Sequence, residues 1–252
     1  MIKSVSIITS TLNCLQELKQ TYKSLLDQKD VTIQWIIADG LSNDGTKEFL
    51  EYFDNEANIS VDCFSQKDTG IYDAWNNACK LIKYEWTIFL GAGDTFLNNK
   101  TLSSALNKIP KNLTNVLVYG NVVQKRFSGK DIYSAKIIQK NWVNFTPSIP
   151  FHQGVFHHIN LLNINNPFDA SYKIIGDSKF MLNYKNNGKD FIYIDIDITH
   201  MIEGGISANP KNSHIVMKEL FRLERDIGYK LPIFLKIKLL ARTIYKKLLS
   251  CF

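Results

Sequence analysis

Ile33-Gln-Trp-Ile-Ile-Ala-Asp-Gly-Leu-Ser-Asn-Asp-Gly-Thr46 is the stretch that decides the fold. It opens on an apolar run, interrupted only by Gln34, that has the character of a buried strand. At Asp39-Gly40 it breaks into turn-forming residues that continue to Gly45. A helix is expected from Thr46 to about residue 53. Upstream, Val5-Ser-Ile-Ile-Thr-Ser-Thr11 reads as another buried strand. Leu15, Leu18, Tyr22, Leu25 and Leu26 follow it at helical spacing over residues 14–28. Downstream, residues 59–65 read as a third strand and 86–90 as a fourth. Between them, Ile71, Ala74, Trp75, Ala78 and Ile82 share one face of a helix expected over residues 70–83. This alternation means βαβ units, and so an α/β fold with a Rossmann-like, mostly parallel sheet flanked by helices.

The second half is less regular. Residues 116–123 and 130–138 read as strands, as in a hairpin. Residues 152–156 read as a short strand, 177–184 as a helix, 191–200 as a strand and 211–227 as a helix. No linker rich in Pro, Gly or Ser divides the chain. Residues 1–229 are therefore expected to form one domain, with a ligand-binding half (1–123) and a second half (124–229). Residues 230–252 form a tail.

Right-handed crossovers bring the C-terminal ends of parallel strands to one edge, where ligands of open α/β sheets bind. Four polar clusters fall there: residues 9–13, 39–45, 66–70 and 91–94. Asp39, Asp44, Asp68 and Asp94 would meet in that crevice. Carboxylates brought together repel unless a cation or hydrogen-bond donors compensate them. Oxygen ligands of this kind suit Mg²⁺ or Mn²⁺ bridging to a diphosphate. The competing reading is that each Asp caps a turn or helix, with Asp44 and Asp68 the strongest cases. Asp94, after a buried strand, best fits the metal role. The glycines match neither a GxGxxG nor a P-loop, and no serine or cysteine sits in a nucleophile elbow. His152, His157, His158, His200 and His214 lack zinc spacing. His152 and His200 lie near predicted strand ends.

Composition narrows the classes. The 252 residues are 45% hydrophobic and 21% charged, values of a globular chain. No run reaches the roughly 18 apolar residues that span a bilayer. Residues 1–11 carry only Lys3 as a basic residue and do not read as a signal peptide. Cys14, Cys63, Cys79 and Cys251 are too scattered for a disulfide framework, which favours a reducing compartment. The net charge of +6 comes from the tail, where Lys230, Lys236, Lys238, Arg242, Lys246 and Lys247 stand with no acid. The rest is balanced, which argues against nucleic acid as a partner. In the tail, Ile233, Ile237, Leu240, Ile244 and Leu248 share one helical face with the basic residues opposite. Such a basic amphipathic helix can lie on an anionic membrane surface.

Taken together, residues 5–13, Ser24-Leu-Leu-Asp-Gln28, residues 35–46, Asp68-Thr-Gly-Ile-Tyr-Asp-Ala-Trp-Asn76 and Phe89-Leu-Gly-Ala-Gly-Asp94 resemble family 2 glycosyltransferases. His152-Gln153, Phe168-Asp169, Tyr172–Asp177 and Gly204-Gly-Ile-Ser207 resemble a subgroup that builds bacterial surface polysaccharides such as colanic acid, O-antigen and capsule. The resemblance spans about residues 4–207. It implies a GT-A fold, a nucleotide-sugar donor (a UDP-sugar), a saccharide or lipid-linked saccharide acceptor, and inverting transfer aided by Mn²⁺ or Mg²⁺. By position it assigns Thr9, Thr11, Asn13, Asp39, Ser42, Asp68, Tyr72, Asn76, Ala92, Gly93 and Asp94 to the donor. Asp94 and, more weakly, His200 are assigned to the metal, His152 and Gln153 to the acceptor, and Asp177 to the catalytic base. The implied setting is cytoplasmic, peripheral at the inner face of a bacterial inner membrane. The sequence departs from the pattern twice. Ala92 replaces the first acid of the DxD metal motif, and Gly176 stands before Asp177 where an acidic pair is usual. Two competing readings follow. One is a catalytically inactive, membrane-associated binding protein, suggested by Ala92. The other is a sugar nucleotidyltransferase, which would need a Gly-rich basic loop where residues 9–13 stand.

Overall fold

The computed structural model describes residues 2–51, 58–125, 131–133, 149–202, 205–207 and 209–228, together with 233–234, 236–237 and 240–241 of the tail. The first half runs β1 (Lys3–Thr11), α1 (Leu15–Leu26), β2 (Val31–Asp39), α2 (Thr46–Glu51), β3 (Ile59–Ser65), α3 (Ile71–Cys79) and β4 (Trp86–Phe89). Then follow β5 (Thr95–Phe96), α4 (Thr101–Lys108), β6 (Leu117–Lys125), β7 (Asp131–Tyr133), β8 (Val155–His158) and α5 (Ile159–Leu162). The chain continues with α6 (Gly176–Asn186), β9 (Ile192–Ile202) and α7 (Ser213–Ile227).

The described strands form one sheet in the order β3-β2-β1-β4-β8-β6-β9-β5, with β7 paired to β6. Strands β1 to β4 are mutually parallel; Ile7 lies opposite Trp35, and Ser6 opposite Thr87. Helices cover both faces. Val5, Ile7, Ile33, Trp35 and Ile88 pack on Leu18 and Leu25 of α1 and on Leu102 and Leu106 of α4. Ile8, Ile36 and Phe89, which point the other way, pack on Tyr72, Trp75 and Ala78 of α3, Leu182 of α6 and Leu220 and Leu223 of α7. Burial on both faces explains why β1, β2 and β4 are apolar runs rather than alternating ones.

The parallel order stops at β8. This strand runs antiparallel to β4, with Ile88 opposite Phe156, and antiparallel to β6, with Val118 opposite Phe156. It therefore enters the sheet at the edge where β4 leaves it, and residues 152–154 are delivered to the strand-end crevice. Those residues form one turn of 3₁₀-helix, His152–Gly154, where a strand was expected. The Gly154 N–H closes the turn on the Phe151 carbonyl. A Cβ at Gly154 would stand 2.8 Å from Val122 Cγ2, so strand β6 leaves no room for a side chain there.

Other departures are short. Helix α3 stops at Cys79 because the chain tightens into i→i−3 bonds from Lys80 to Asn77, Leu81 to Ala78 and Ile82 to Cys79. The expected hairpin is present as β6 against β7. Residues 134–138 of its second strand lie outside the described residues, as do Gly204 and most of the tail. Among the described residues no helix is long and apolar enough to cross a membrane.

Candidate active site

Asp39 ends β2 at the crevice edge and is buried. Its carboxylate accepts the Ser42 hydroxyl (2.5 Å) and the Ser65 hydroxyl (2.5 Å), with the Ser42 N–H at 3.2 Å. The loop that follows is tied to the one after β1. Asn13 donates its N–H to Ser42 Oγ (2.8 Å) and accepts the Asn43 N–H on Oδ1 (2.9 Å). Asp44 accepts from the Leu15 N–H and from the Thr46 hydroxyl and N–H, so it joins the starts of α1 and α2 as a cap. The same hydrogen bonds hold its carboxyl below the usual range. Asp68 accepts the Gly70 N–H (2.9 Å), and a Cβ at Gly40 would stand 3.1 Å from its other oxygen. Burial, then Asp73 and Asp39, push its carboxyl up.

Beyond β4 the chain makes a tight turn, with Gly93 at φ 92°. Thr21 of α1 organises it: the hydroxyl accepts the Gly93 N–H (2.9 Å) and lies 3.1 Å from the Asp94 carbonyl. Asp94 is thereby held at 7% exposure, with Oδ2 accepting the Gly91 N–H (3.1 Å). Burial pushes its carboxyl up to about 6, against the charge of nearby His152, the Gly91 N–H and the Gln153 amide. Gln153 donates to Met201 Sδ at 3.0 Å, and its buried Oε1 has no hydrogen-bond partner.

Asp177 lies in the first turn of α6. One oxygen accepts the Tyr72 hydroxyl (3.0 Å) and the other meets His152 Nδ1 (3.1 Å). Burial would raise this carboxyl. The His152 hydrogen bond and charge, with the Ser178 N–H and Tyr72, outweigh it and hold the group below its ordinary value. The His152 ring stands edge-on to Trp75, with centroids 5.4 Å apart. The segment before α6 is fixed from behind by buried Glu219 of α7. Its carboxylate accepts the N–H groups of Lys173 (2.5 Å), Ile174 (3.0 Å) and Ile175 (3.0 Å).

Several residues expected at the donor are occupied elsewhere. Thr9 is fully buried, and its hydroxyl accepts the Trp35 indole N–H (3.0 Å) on the α1 side of the sheet. Asn76 is buried and exchanges two hydrogen bonds with the Phe168 backbone (2.8 and 2.9 Å), so its amide pins a loop. Tyr72 is 2% exposed and spends its hydroxyl on Asp177 and the Ile174 carbonyl. Thr11, Asn13, Asp39, Ser42, Asp68, Gly93 and Asp94 do lie along the strand-end edge, with Ala92 half-buried in the turn. The Thr11 hydroxyl is buried without a partner. His200 lies in β9 opposite Thr95, the residue after Asp94. The sequence reading missed Ser65, Thr21 and Glu219. Ser65 was findable as the register partner of Asp39, once the β2–β3 pairing is drawn.

Among the described residues, Asp94 is the side chain best suited to a divalent cation here. Among the described residues, no three His, Cys, Asp or Glu side chains are grouped to hold a metal. Ala92 offers no oxygen from its side chain. Asp94 presents a buried, raised carboxyl beside an orphaned amide oxygen, a donor set that a cation would satisfy. One carboxylate suffices for Mg²⁺-like ions when substrate phosphates and water complete the shell.

Comparison with known proteins agrees with this fold. The family model described as Glycosyl transferase family 2 matches residues 6–170. A PGL/p-HBAD biosynthesis glycosyltransferase of Mycobacterium bovis is 26% identical over 238 residues, covering 91% of this chain and 88% of the relative. A putative teichuronic acid biosynthesis glycosyltransferase, TuaG of Bacillus subtilis, is 29% identical over 97 residues, 38% of each chain. Among solved structures, S. aureus TarS 1–349 in complex with UDP-GlcNAc superposes with a TM-score of 0.63 at 19% identity, over 96% of this chain and 72% of that one. The mannosyltransferase PcManGT of Pyrobaculum calidifontis, in complex with GDP-Man and Mn²⁺, superposes at 0.60 with 13% identity, over 95% and 68%.

Proposed function

The chain belongs to glycosyl transferase family 2, and from that premise we propose that it moves a sugar from a UDP-sugar to a hydroxyl of a lipid-linked saccharide, inverting the anomeric centre, in the synthesis of a bacterial surface polysaccharide. One observation carries the reading. The Asp39 cradle, buried Asp94 and the Asp177–His152 pair stand along one edge of the sheet, where open α/β sheets bind ligands. The nucleotide-sugars held by TarS and PcManGT support the donor class.

Each part has a task that its chemistry suits. Asp39, with Ser42 and Ser65 fixing both oxygens, accepts an N–H of the nucleobase. Asn13 and Ser42 shape the loop over the nucleoside. Asp94 would hold Mn²⁺ or Mg²⁺, with His200, opposite Thr95 in the sheet, a further candidate. When bound, such an ion supplies positive charge for the leaving diphosphate. The Asp177–His152 pair takes the proton of the acceptor hydroxyl as it attacks the anomeric carbon. Attack on the face opposite the leaving group turns an α-linked donor into a β-linked product. Exposed Ile233 (78%), Phe234, Ile237 and Leu240 give the tail an apolar face free to enter a membrane interface, which would bring the site to a lipid-linked acceptor.

A thermal-shift panel of UDP- and GDP-sugars, with and without Mn²⁺, tests the donor. A ligand at 100 times its Kd stabilises by about 2.7 kcal/mol, which such a panel resolves. Nucleotide release in the presence of an acceptor extract then tests transfer. Binding without release would favour a nucleotide-sugar-binding protein.

A further inference from the structure

Two pieces of the site reach the crevice from distant parts of the chain. The loop Gln66–Gly70 follows β3 and carries Asp68, which the resemblance assigns to the donor. The segment Tyr172–Ile175 leads into α6 and Asp177. Lys173 joins the two. Its backbone N–H is held by Glu219 Oε1 at 2.5 Å. Its ammonium donates to the Thr69 carbonyl, 104 residues away in the chain. Between these ends the side chain lies over Gly70, with Cδ and Nζ each 3.7 Å from where a Cβ would stand. Gly70 is at φ 142°, a backbone region that residues with side chains rarely adopt.

The two pieces are supported unequally. The segment before α6 is also held by the Ile174 and Ile175 N–H groups on Glu219 and by the Tyr72 hydroxyl on the Ile174 carbonyl (2.6 Å). The loop is held by local bonds: the Gly70 N–H to Asp68, and the Thr69 N–H (3.0 Å) and hydroxyl (3.2 Å) to Asp73. Asp73 and Asp39 act on Asp68 as like charges, and Lys173 opposes them. Loss of the ammonium would therefore be felt by the Asp68 loop before it is felt by Asp177.

We infer that Lys173 is a positioning residue for the donor: its ammonium braces the Asp68 loop against the segment that carries the base, and so fixes the nucleoside side of the crevice. This rests on the glycosyltransferase reading above and adds a residue to its donor site. Lys173 need not touch the nucleotide to act. Its backbone is anchored by Glu219 and its stem lies over Gly70, so little side-chain freedom remains to be lost when the ammonium meets the Thr69 carbonyl.

The test compares wild type, Lys173→Met and Lys173→Arg. Calorimetric titration with uridine and with UDP reads the donor site, and amide hydrogen exchange of residues 66–70 in the nucleotide-free protein reads the brace. Lys173→Met should bind both uridine and UDP roughly three- to tenfold more weakly, the scale of one hydrogen bond from a charged donor that water partly replaces. Its exchange at 66–70 should quicken while its melting temperature stays close to wild type. Donor KM should rise and kcat at saturating UDP-sugar should hold. Lys173→Arg should restore binding, since a guanidinium also donates to a carbonyl. Unchanged affinity and exchange in Lys173→Met would overturn the inference. A loss confined to UDP, with uridine bound as before, would make the ammonium a phosphate ligand and overturn the positioning role. A fall in kcat with donor KM kept would move its action to the base segment and do the same. A wild type that binds neither ligand would overturn the donor reading, and this role with it, even where the exchange result shows the brace.

Discussion

Gly176 and Tyr72 exclude one another's volume: a Cβ on Gly176 would lie 2.7 Å from Tyr72 Cε2 and 2.8 Å from Cδ2. The ring has nowhere to retreat, because Trp75 stands edge-on at 5.3 Å and Phe168 stacks at 6.2 Å. This accounts for the missing acid before Asp177. The space an acidic side chain would occupy is filled by the ring whose hydroxyl holds Asp177. Gly176→Ala should therefore cost about 1–3 kcal/mol, the usual range for overpacking. In a Tyr72→Leu background the same change should cost much less. Urea midpoints of the four chains measure that coupling. An equal cost in both backgrounds would show that the clash is relieved elsewhere.

Glu219 supports the same residue from the opposite side. Its carboxylate takes three consecutive N–H groups ahead of α6, and it is buried at 7% exposure. Glu219→Ala strands those donors, each worth about 1–3 kcal/mol when left unsatisfied in the interior. A loss of more than about 2 kcal/mol is expected, with kcat falling and donor affinity kept. Glu219→Gln retains one oxygen and should fall between. If Glu219→Ala melts as the wild type does, water has replaced the carboxylate and the clamp is not what positions Asp177.

Much of this was legible in the chain. The apolar runs around Ile7, Ile36 and Ile88 marked the strands, because burial on both faces keeps most positions apolar, with Ser6, Gln34 and Thr87 among the few exceptions. Asp39 and Asp94 could be placed because Asp39 directly follows such a run and Asp94 closes the short turn after one. Thr9, which the resemblance assigns to the donor, is buried and faces the packed side of the sheet. Its alternation with Ile7 and the 7–35 register put it on the Trp35 side, where an indole N–H needed an acceptor. Tyr72 and Asn76, which the resemblance assigns to the donor, sit on the inner face of α3, and their partners are 105 and 92 residues away. The His152–Asp177 contact depends on β8 entering antiparallel. A four-residue strand carries too little pattern to announce its direction.

The tail makes a separable prediction. Ile233, Phe234, Ile237 and Leu240 are exposed, and Lys236 reaches Glu224 of α7 at 2.7 Å. Apolar side chains this exposed contribute little to the stability of the core. Deleting residues 230–252 should leave the melting temperature within a few degrees and abolish co-sedimentation with phosphatidylglycerol vesicles. Binding by the full chain should weaken with salt, since each basic residue near an anionic surface contributes about 1 kcal/mol. A truncated chain that unfolds would assign the tail to packing instead.

Asp94 links stability, pH and metal in one experiment. Burial holds its carboxyl at about 6 in the folded chain, whereas an unfolded aspartate titrates near ~3.9. The folded state thus binds the proton more tightly. The protonated group's contribution is fully present below pH ~3.9 and is lost as pH rises through about 6, a difference on the order of 3 kcal/mol. Asp94→Asn, which stays neutral, escapes this loss. Its stability relative to wild type should therefore climb between pH 4 and 7 and level off above. The charged form is also the one that binds a cation. At pH 7.5 in the presence of UDP, Mn²⁺ should raise the wild-type melting temperature and leave Asp94→Asn unmoved. The two halves of the prediction separate cleanly. A flat pH difference would mean that water reaches the carboxylate. A Mn²⁺ shift that survives in Asp94→Asn would place the cation on other ligands, His200 the first to be replaced.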